Sequence, residues 1–293
     1  MRTAVLGANG QLGRDLCPRL PGEVIPLGRP RVDLADAATL KPALEELRPD
    51  VVVNCAAYNF VDRAETEPDA AMAVNAWGVR ALAQLCRDLG CTLVHFSTDY
   101  VFGLDETRRT PWTETDAPGP VSVYGLSKLA GEYLTRAICP RSFVVRSCGL
   151  YGLWGSGGKG GNFVETMLRV AGQGKPLRVV ADQTCTPTYT ADLAEATVAL
   201  LNTGRYGLYH LTNGGACSWY EFARAIFETT GIPADITPIT SAEYGAPARR
   251  PAYSVLASAA VSALGLKPLR PWQAALAAYL DERQRHPARI ATT

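Results

Sequence analysis

A short apolar stretch, residues 2–6, runs directly into Gly7-Ala8-Asn9-Gly10-Gln11-Leu12-Gly13. No other segment restricts the fold of this chain as tightly. Between a first strand and a first helix, glycines at this spacing each have a use. Gly7 permits the tight turn, Gly10 lets backbone approach a pyrophosphate, and Gly13 lets the helix pack closely on the strand. The helix N-terminus, opening at Gln11 and Leu12, then offers backbone donors to the anion. The glycines therefore mark a dinucleotide site, against the plainer reading of a turn with no ligand. A site of this kind needs alternating strands and helices around it. Apolar strand patterns at 23–27, 51–55, 92–96, 142–146 and 207–211 alternate with helical patterns at 38–47, 69–89 and 191–201.

The fold class expected is α/β, a Rossmann-type doubly wound parallel sheet with a smaller C-terminal α/β lobe. Residues 1–150 form the nucleotide-binding domain, with 186–206 packing back onto it, and 151–293 form the substrate lobe. The 293 residues, 47% of them hydrophobic, suffice for such a core, and the 28 acidic and 29 basic side chains nearly cancel. Bulk charge thus gives no reason to expect a nucleic acid or a membrane as partner, and an anionic ligand must be met locally. No apolar run reaches the roughly 20 residues that cross a bilayer. The N-terminus enters a strand rather than a signal peptide, so a cytoplasmic location is expected. Eight cysteines without a Cys-x-x-Cys pair, and only three histidines, favour buried free thiols and no metal site.

The second strand ends in Gly28-Arg29, where an NAD site would place an acid for the ribose 2′-hydroxyl. Arg29, with Arg31 nearby, suits a 2′-phosphate instead, so NADPH is the expected cofactor, with NADH the alternative. Asp36 reads as a helix cap. Ala57, Tyr58 and Asn59 follow the third strand, and Thr98, Asp99 and Tyr100 follow the fourth; strand ends of a parallel sheet face the ligand crevice. Tyr124 and Lys128 lie four apart on one helical face, and the lysine is expected to draw the phenol toward ionisation and proton exchange.

The glycine spacing resembles that of extended short-chain dehydrogenase/reductases. Ser-Thr-Asp-Tyr-Val-Phe at 97–102, Pro-Trp-x-Glu-Thr-Asp at 111–116 and Val-Tyr-Gly-x-Ser-Lys-x-x-Gly-Glu at 123–132 resemble the dTDP-4-dehydrorhamnose reductase family. The likeness runs nearly the whole chain. It implies NADPH-dependent reduction of the C4 keto group of a dTDP-linked 6-deoxy sugar, giving dTDP-L-rhamnose. Thr98 would polarise the carbonyl, Tyr124 would supply the proton, and Lys128 would tune the tyrosine and hold the nicotinamide ribose. Asp33 and Leu34 match the family's adenine-binding pair. Asp99, Tyr100 and Asn162 would contact the sugar, and Arg250 would anchor the diphosphate unless it serves only as a surface salt bridge. Asn75 is expected to have a structural duty.

The chain also departs from its relatives. Gly149 stands where better-known members carry a tryptophan that stacks on the sugar, and Trp154, beside the Gly-rich run 155–161, is the expected substitute, the run itself reading as a flap. Some relatives dimerise through magnesium held by an acid at the position of Asp15, but the second acidic cluster is missing near Ala191 and Asp192. Magnesium is therefore not expected, and the state is read as monomer or homodimer. Two other functions stay open: reduction of a different nucleotide-linked 4-keto deoxysugar, or a non-catalytic regulatory role like that of the methionine adenosyltransferase β-subunit. Dehydratase and epimerase chemistry are disfavoured by Tyr100 after Asp99 and by the missing acid after the second strand.

Overall fold

The computed structural model describes residues 1–155 and 161–286. In chain order it begins β1 (Arg2–Leu6), α1 (Gln11–Leu16), β2 (Glu23–Leu27), α2 (Leu40–Leu47) and β3 (Val51–Asn54). It continues with α3 (Val61–Ala64), α4 (Pro68–Met72), α5 (Val79–Leu89), β4 (Thr92–Thr98), α6 (Val123–Ile138) and β5 (Ser142–Ser147). Then come β6 (Leu150–Tyr151), α7 (Phe163–Gly172), β7 (Leu177–Val180), β8 (Thr184–Cys185), β9 (Thr188–Tyr189), α8 (Thr190–Leu201) and β10 (Gly207–His210). The chain closes with β11 (Cys217–Ser218), α9 (Trp219–Thr230), β12 (Ile236–Ile239), α10 (Ser241–Tyr244), α11 (Ala259–Ala263) and α12 (Trp272–Arg285).

Six strands form one sheet in the order β10-β5-β4-β3-β1-β2, every neighbouring pair parallel. The order reverses between β1 and β3, which is where an open α/β sheet makes its ligand crevice. Alternation along the strands separates two cores. Val5, Val53, Val94 and Val145 face one side with Leu12, Leu16, Leu193 and Leu200. Ala4, Leu6, Val52 and Leu93 face the other with Leu40, Leu44 and Leu82. The sixth strand of this sheet is β10, and α8 packs against α1. A third core fills the remaining lobe, with Tyr151, Val164, Leu177, Phe222, Ile226, Leu276 and Tyr279 fully or almost fully buried.

Element bounds shift by a residue or two from the sequence reading, and two larger differences have local reasons. The first helix stops at Leu16 and passes into a 3₁₀ turn at Cys17–Arg19, because Pro18 cannot donate to a continuing α ladder. The helical run over 69–89 contains a wider π-helical segment, Ala73–Gly78, between α4 and α5. There Gly78 passes so close to Leu34 that a Cβ would lie 2.1 Å from its carbonyl oxygen, and Asn75 turns away from the helix to bond elsewhere. The fourth strand runs on to Thr98. The Gly-rich run expected as a flap falls largely at 156–160, outside the described residues. All eight cysteines are free thiols.

Candidate active site

Gly7 turns the chain at the end of β1 with φ +72°, a left-handed conformation that glycine adopts without strain. A Cβ there would lie 2.8 Å from the Ala56 nitrogen, so the loops after β1 and β3 meet backbone to backbone across the switch point. At Gly13 a Cβ would come within 2.5 Å of the Gly7 carbonyl oxygen and 2.7 Å of the Ala8 Cα. Turn and helix can therefore close only over a bare α carbon. Gln11 and Leu12 are buried at the start of α1, and Ala57 lies exposed beyond β3.

On the adenine side, Leu34 is buried and the Asp33 carboxylate accepts from the Ala35 amide at 2.9 Å. Asp36 caps the following turn, accepting from the Ala38 amide. Arg31 pairs with Glu46 at 3.1 Å, whereas Arg29 is exposed and makes no ion pair among the described residues. Asn75 has the structural duty expected of it. Its amide bridges the Tyr58 nitrogen and carbonyl, both at 2.9 Å, and donates to the Ser127 hydroxyl at 3.0 Å, which fixes the loop carrying Tyr58 and Asn59 against α6. The Tyr58 hydroxyl is taken by Glu67 at 2.7 Å.

Helix α6 opens on Ser122, whose hydroxyl accepts from the Gly125 amide at 3.2 Å. Tyr124 therefore lies in the first turn and Lys128 one turn further, on one face. The Tyr124 phenol faces the Thr98 hydroxyl at the end of β4, close enough for that hydroxyl to lower its pKa, and its ring meets Tyr100 edge to face at 5.7 Å. Lys128 is buried, and Nζ donates to the Phe96 carbonyl at 2.6 Å.

The phenol is shifted in the opposite direction to the one expected from the lysine, because burial dominates. Burial pushes the Tyr124 phenol up to about 12, the Thr98 hydroxyl opposes this, and the Asp99 carboxylate adds to it. Lys128 instead is itself brought down to about 8, chiefly by burial, with the Glu132 carboxylate pulling the other way. Tyr124 is thus held protonated at neutral pH, the state a general acid requires.

Two residues expected to reach a sugar are engaged elsewhere. Asp99 is almost completely buried, with its carboxylate accepting from the Cys148 thiol at 3.0 Å, from Thr98 at 3.1 Å and from Ser254. Burial raises its pKa, and it braces Thr98 from behind rather than lining open space. Asn162 is also buried. It caps α7 by accepting from the Glu165 amide, while its Nδ2 donates to the Gly152 carbonyl at 2.8 Å and lies 3.3 Å from Gln11 Oε1. Tyr100 keeps partial exposure, and its phenol is raised by burial and Asp99 and lowered by Arg250. Arg250 holds Asp62 at 2.9 Å and the Ala248 carbonyl at 2.9 Å. It is an ion-paired guanidinium, half-buried beside Tyr100.

Trp154 does not take up the space beside Gly149. Its ring lies under the Arg14 guanidinium at 4.7 Å, and its indole hydrogen-bonds with Asp15. Asp15 is buried, accepts from the Thr190 hydroxyl at 2.5 Å and is raised by desolvation, so it ties α1 to α8 internally. The aromatic that does reach Gly149 is Trp219, the first residue of α9. A Cβ on Gly149, which has φ +54°, would lie 3.2 Å from the Trp219 Cη2 and 3.2 Å from the Pro187 Cα. Trp219 is partly exposed and packs on Phe163 at 4.8 Å. Nothing in the local sequence linked residues 70 positions apart. Glu132 was overlooked as well, although its position four residues beyond Lys128 was a usable signal.

A doubly wound parallel sheet with a glycine loop at one strand end and a facing Thr with a helical Tyr and Lys defines an extended short-chain dehydrogenase/reductase. Residues 1–285 match the family model of the RmlD substrate binding domain. The chain belongs to that family. It is 44% identical over 285 residues to a dTDP-4-dehydrorhamnose reductase of Streptomyces griseus, covering 94% of this chain and 91% of the relative. It is 39% identical over 280 residues to a dTDP-4-keto-6-deoxy-D-glucose reductase of Streptomyces niveus, covering 94% and 95%. Its fold matches the crystal structure of a Bacillus anthracis dTDP-4-dehydrorhamnose reductase in complex with NADP, with a TM-score of 0.91, 37% identity, and 96% and 99% coverage. Among the described residues no cluster of His, Cys, Asp or Glu is arranged to hold a metal, and no helix is long and apolar enough to cross a membrane.

Proposed function

We propose that this protein is an NADPH-dependent reductase of the C4 keto group of dTDP-4-dehydro-6-deoxy-L-mannose, forming dTDP-L-rhamnose. The observation that carries the reading is the meeting of the Thr98 hydroxyl and the Tyr124 phenol at the end of β4, one helical turn from Lys128. The relatives named as reductases of dTDP-linked keto sugars, and the NADP complex of one of them, support it.

The residues fit the cofactor. The loops after β1 and β3 meet over bare α carbons that a side chain would fill, and an exposed cation, Arg29, follows β2. Gly7, Gly10, Gln11, Leu12 and Gly13 would hold the pyrophosphate, Asp33 and Leu34 the adenine, Arg29 the 2′-phosphate, and Ala57, Tyr58, Asn59 and Lys128 the nicotinamide half. When bound, NADPH supplies the hydride to the keto carbon. Thr98 binds the carbonyl oxygen, and Tyr124 donates its proton to that oxygen as negative charge develops there. The phenolate left behind is stabilised by the Lys128 ammonium. Tyr100 and Arg250 line the approach to the sugar and its diphosphate. Asp99 and Asn162 act from behind, by fixing Thr98 and Gln11. In this reading residues 1–150, together with α8 and β10, make the cofactor half, and the rest of 151–293 makes the sugar half.

NADPH oxidation with a panel of nucleotide-linked 4-keto deoxysugars, followed by product identification, tests the proposal. Turnover with none of them would overturn it in favour of a binding protein. A second reading, reduction of a different 4-keto deoxysugar, rests on one observation: the aromatic beside the site is Trp219, reaching in over Gly149 from another element. The same panel separates the two.

A further inference from the structure

Below Tyr124 and Lys128, the same face of α6 carries a third residue at four-residue spacing. Glu132 has no solvent exposure. Its carboxylate accepts from Arg146 Nε at 2.9 and 3.1 Å and from Nη2 at 2.7 Å, and from the Ser97 hydroxyl at 2.5 Å. Arg146 extends away from the site, with Nη1 3.4 Å from His210 Nε2 and the guanidinium over Phe102 at 5.0 Å. Three consecutive residues of β4 thus face three successive turns of α6. Thr98 meets Tyr124, Ser97 meets Glu132, and the Phe96 carbonyl takes Lys128.

The surroundings of Lys128 make the carboxylate matter. Among the described residues no acid lies within salt-bridge distance of its Nζ. The titratable groups around it are Cys55 beyond β3, His95 on β4, and Tyr124 and Glu132 on its own helix. Burial holds the Cys55 thiol far above its usual value and His95, with Lys128 adding to the effect, well below its own. Both are neutral near pH 7, and so is Tyr124. Glu132, ion-paired with Arg146 at 2.7 Å, is the one carboxylate of this set.

We propose that Glu132 is a positioning residue for proton transfer, its carboxylate, clamped by Arg146 and Ser97, keeping Lys128 protonated and holding the end of β4 where Thr98 meets Tyr124. The inference rests on the reductase reading for its catalytic meaning but not for its electrostatics. A purely structural ion pair would stabilise the fold without governing Lys128, and the two differ in a pH profile.

The direct readout is the titration of Lys128, followed by NMR of protein labelled with ¹³C at lysine Cε. The chain has only five lysines, and Lys128→Met assigns the signal. Removing an anion disfavours the nearby cation, so Glu132→Gln should lower the Lys128 midpoint by about one pH unit, tenfold in acidity. The high-pH limb of kcat should move to lower pH by the same amount. Glu132→Asp keeps the charge and should restore the limb even where kcat stays reduced, while Ser97→Ala should lower kcat with the limb unmoved. Should Glu132→Gln fail to fold, the double variant with Arg146→Gln leaves no unpaired buried charge and must still move the Lys128 midpoint to lower pH, by less than the single variant because a cation is lost with the anion. An unchanged Lys128 titration in the folded variant overturns the proposal, whatever happens to kcat. The titration needs no substrate, so it decides this point even if wild-type protein reduces none of the sugars, an outcome that would sink the reductase reading alone.

Discussion

At the ends of β4 and α6, Thr98, Tyr124, Lys128 and Glu132 come from two adjacent elements and meet in register, with Lys128 and Glu132 buried and each polar group partnered. On the side proposed for the sugar nucleotide the arrangement is different. Tyr100, Asp62, Arg250, Pro187 and Trp219 arrive from five separate stretches, several of them half-exposed. The first region is set by helical spacing and one strand end, so its chemistry tolerates little variation. The second is an assembly of distant segments, in which one residue can be replaced by another reaching in from elsewhere. Under the proposed function, proton transfer is fixed by geometry in the first, and sugar choice is adjustable in the second.

The comparison breaks most sharply at Tyr124. Tyr124→Phe should reduce turnover by about 10²- to 10⁴-fold, the range of a lost general acid, while NADPH still binds in a fluorescence titration. Retained turnover would remove the tyrosine from its role. Arg250→Leu should raise the KM for the nucleotide sugar by roughly 10- to 100-fold, as expected for a lost charge-assisted contact, with kcat much less affected. A change in thermal stability with no change in KM would instead make the Asp62 pair purely structural.

Between the two aromatics, Trp219→Ala should raise the sugar KM on the order of tenfold, the scale of lost apolar contact in a pocket. Trp154→Ala should act through the Arg14 and Asp15 contacts and lower thermal stability. The reverse pattern would return the sugar-facing role to Trp154. The smallest effect is expected at the exposed Arg29, where Arg29→Ala should raise the KM for NADPH about three- to tenfold and leave that for NADH unchanged. The pH profile sharpens the same contrast. As pH rises through about 8 Lys128 loses its charge and kcat should fall, whereas Tyr124, at about 12, stays protonated across the assay range.

Much of the first region was legible before any coordinates. The glycine loop, the strand end at Thr98 and the Tyr124–Lys128 pair each lie within a few residues, and short-range spacing reports on strand ends and helix faces. The direction of the Tyr124 shift was not legible, because desolvation depends on what covers the phenol and not on which residue stands four places away. Nor were the duties of Asp99 and Asn162. A carboxylate or amide at a strand end or helix start reads the same whether it faces a ligand or is consumed by Cys148, Ser254 or Gly152 behind it.

Alone, the amino-acid sequence determined the doubly wound sheet, the glycine loop after its first strand and the placing of Tyr124 and Lys128 on one helical face, since all of these follow from local periodicity and from glycine's freedom at Gly7. Tertiary structure alone decided that Glu132 and Arg146 pair beneath Lys128, that Asp15 is used internally, and that Trp219 rather than Trp154 reaches Gly149. Contacts between residues far apart in the chain are set by how the lobe packs on the sheet, and no spacing within the sequence encodes that distance.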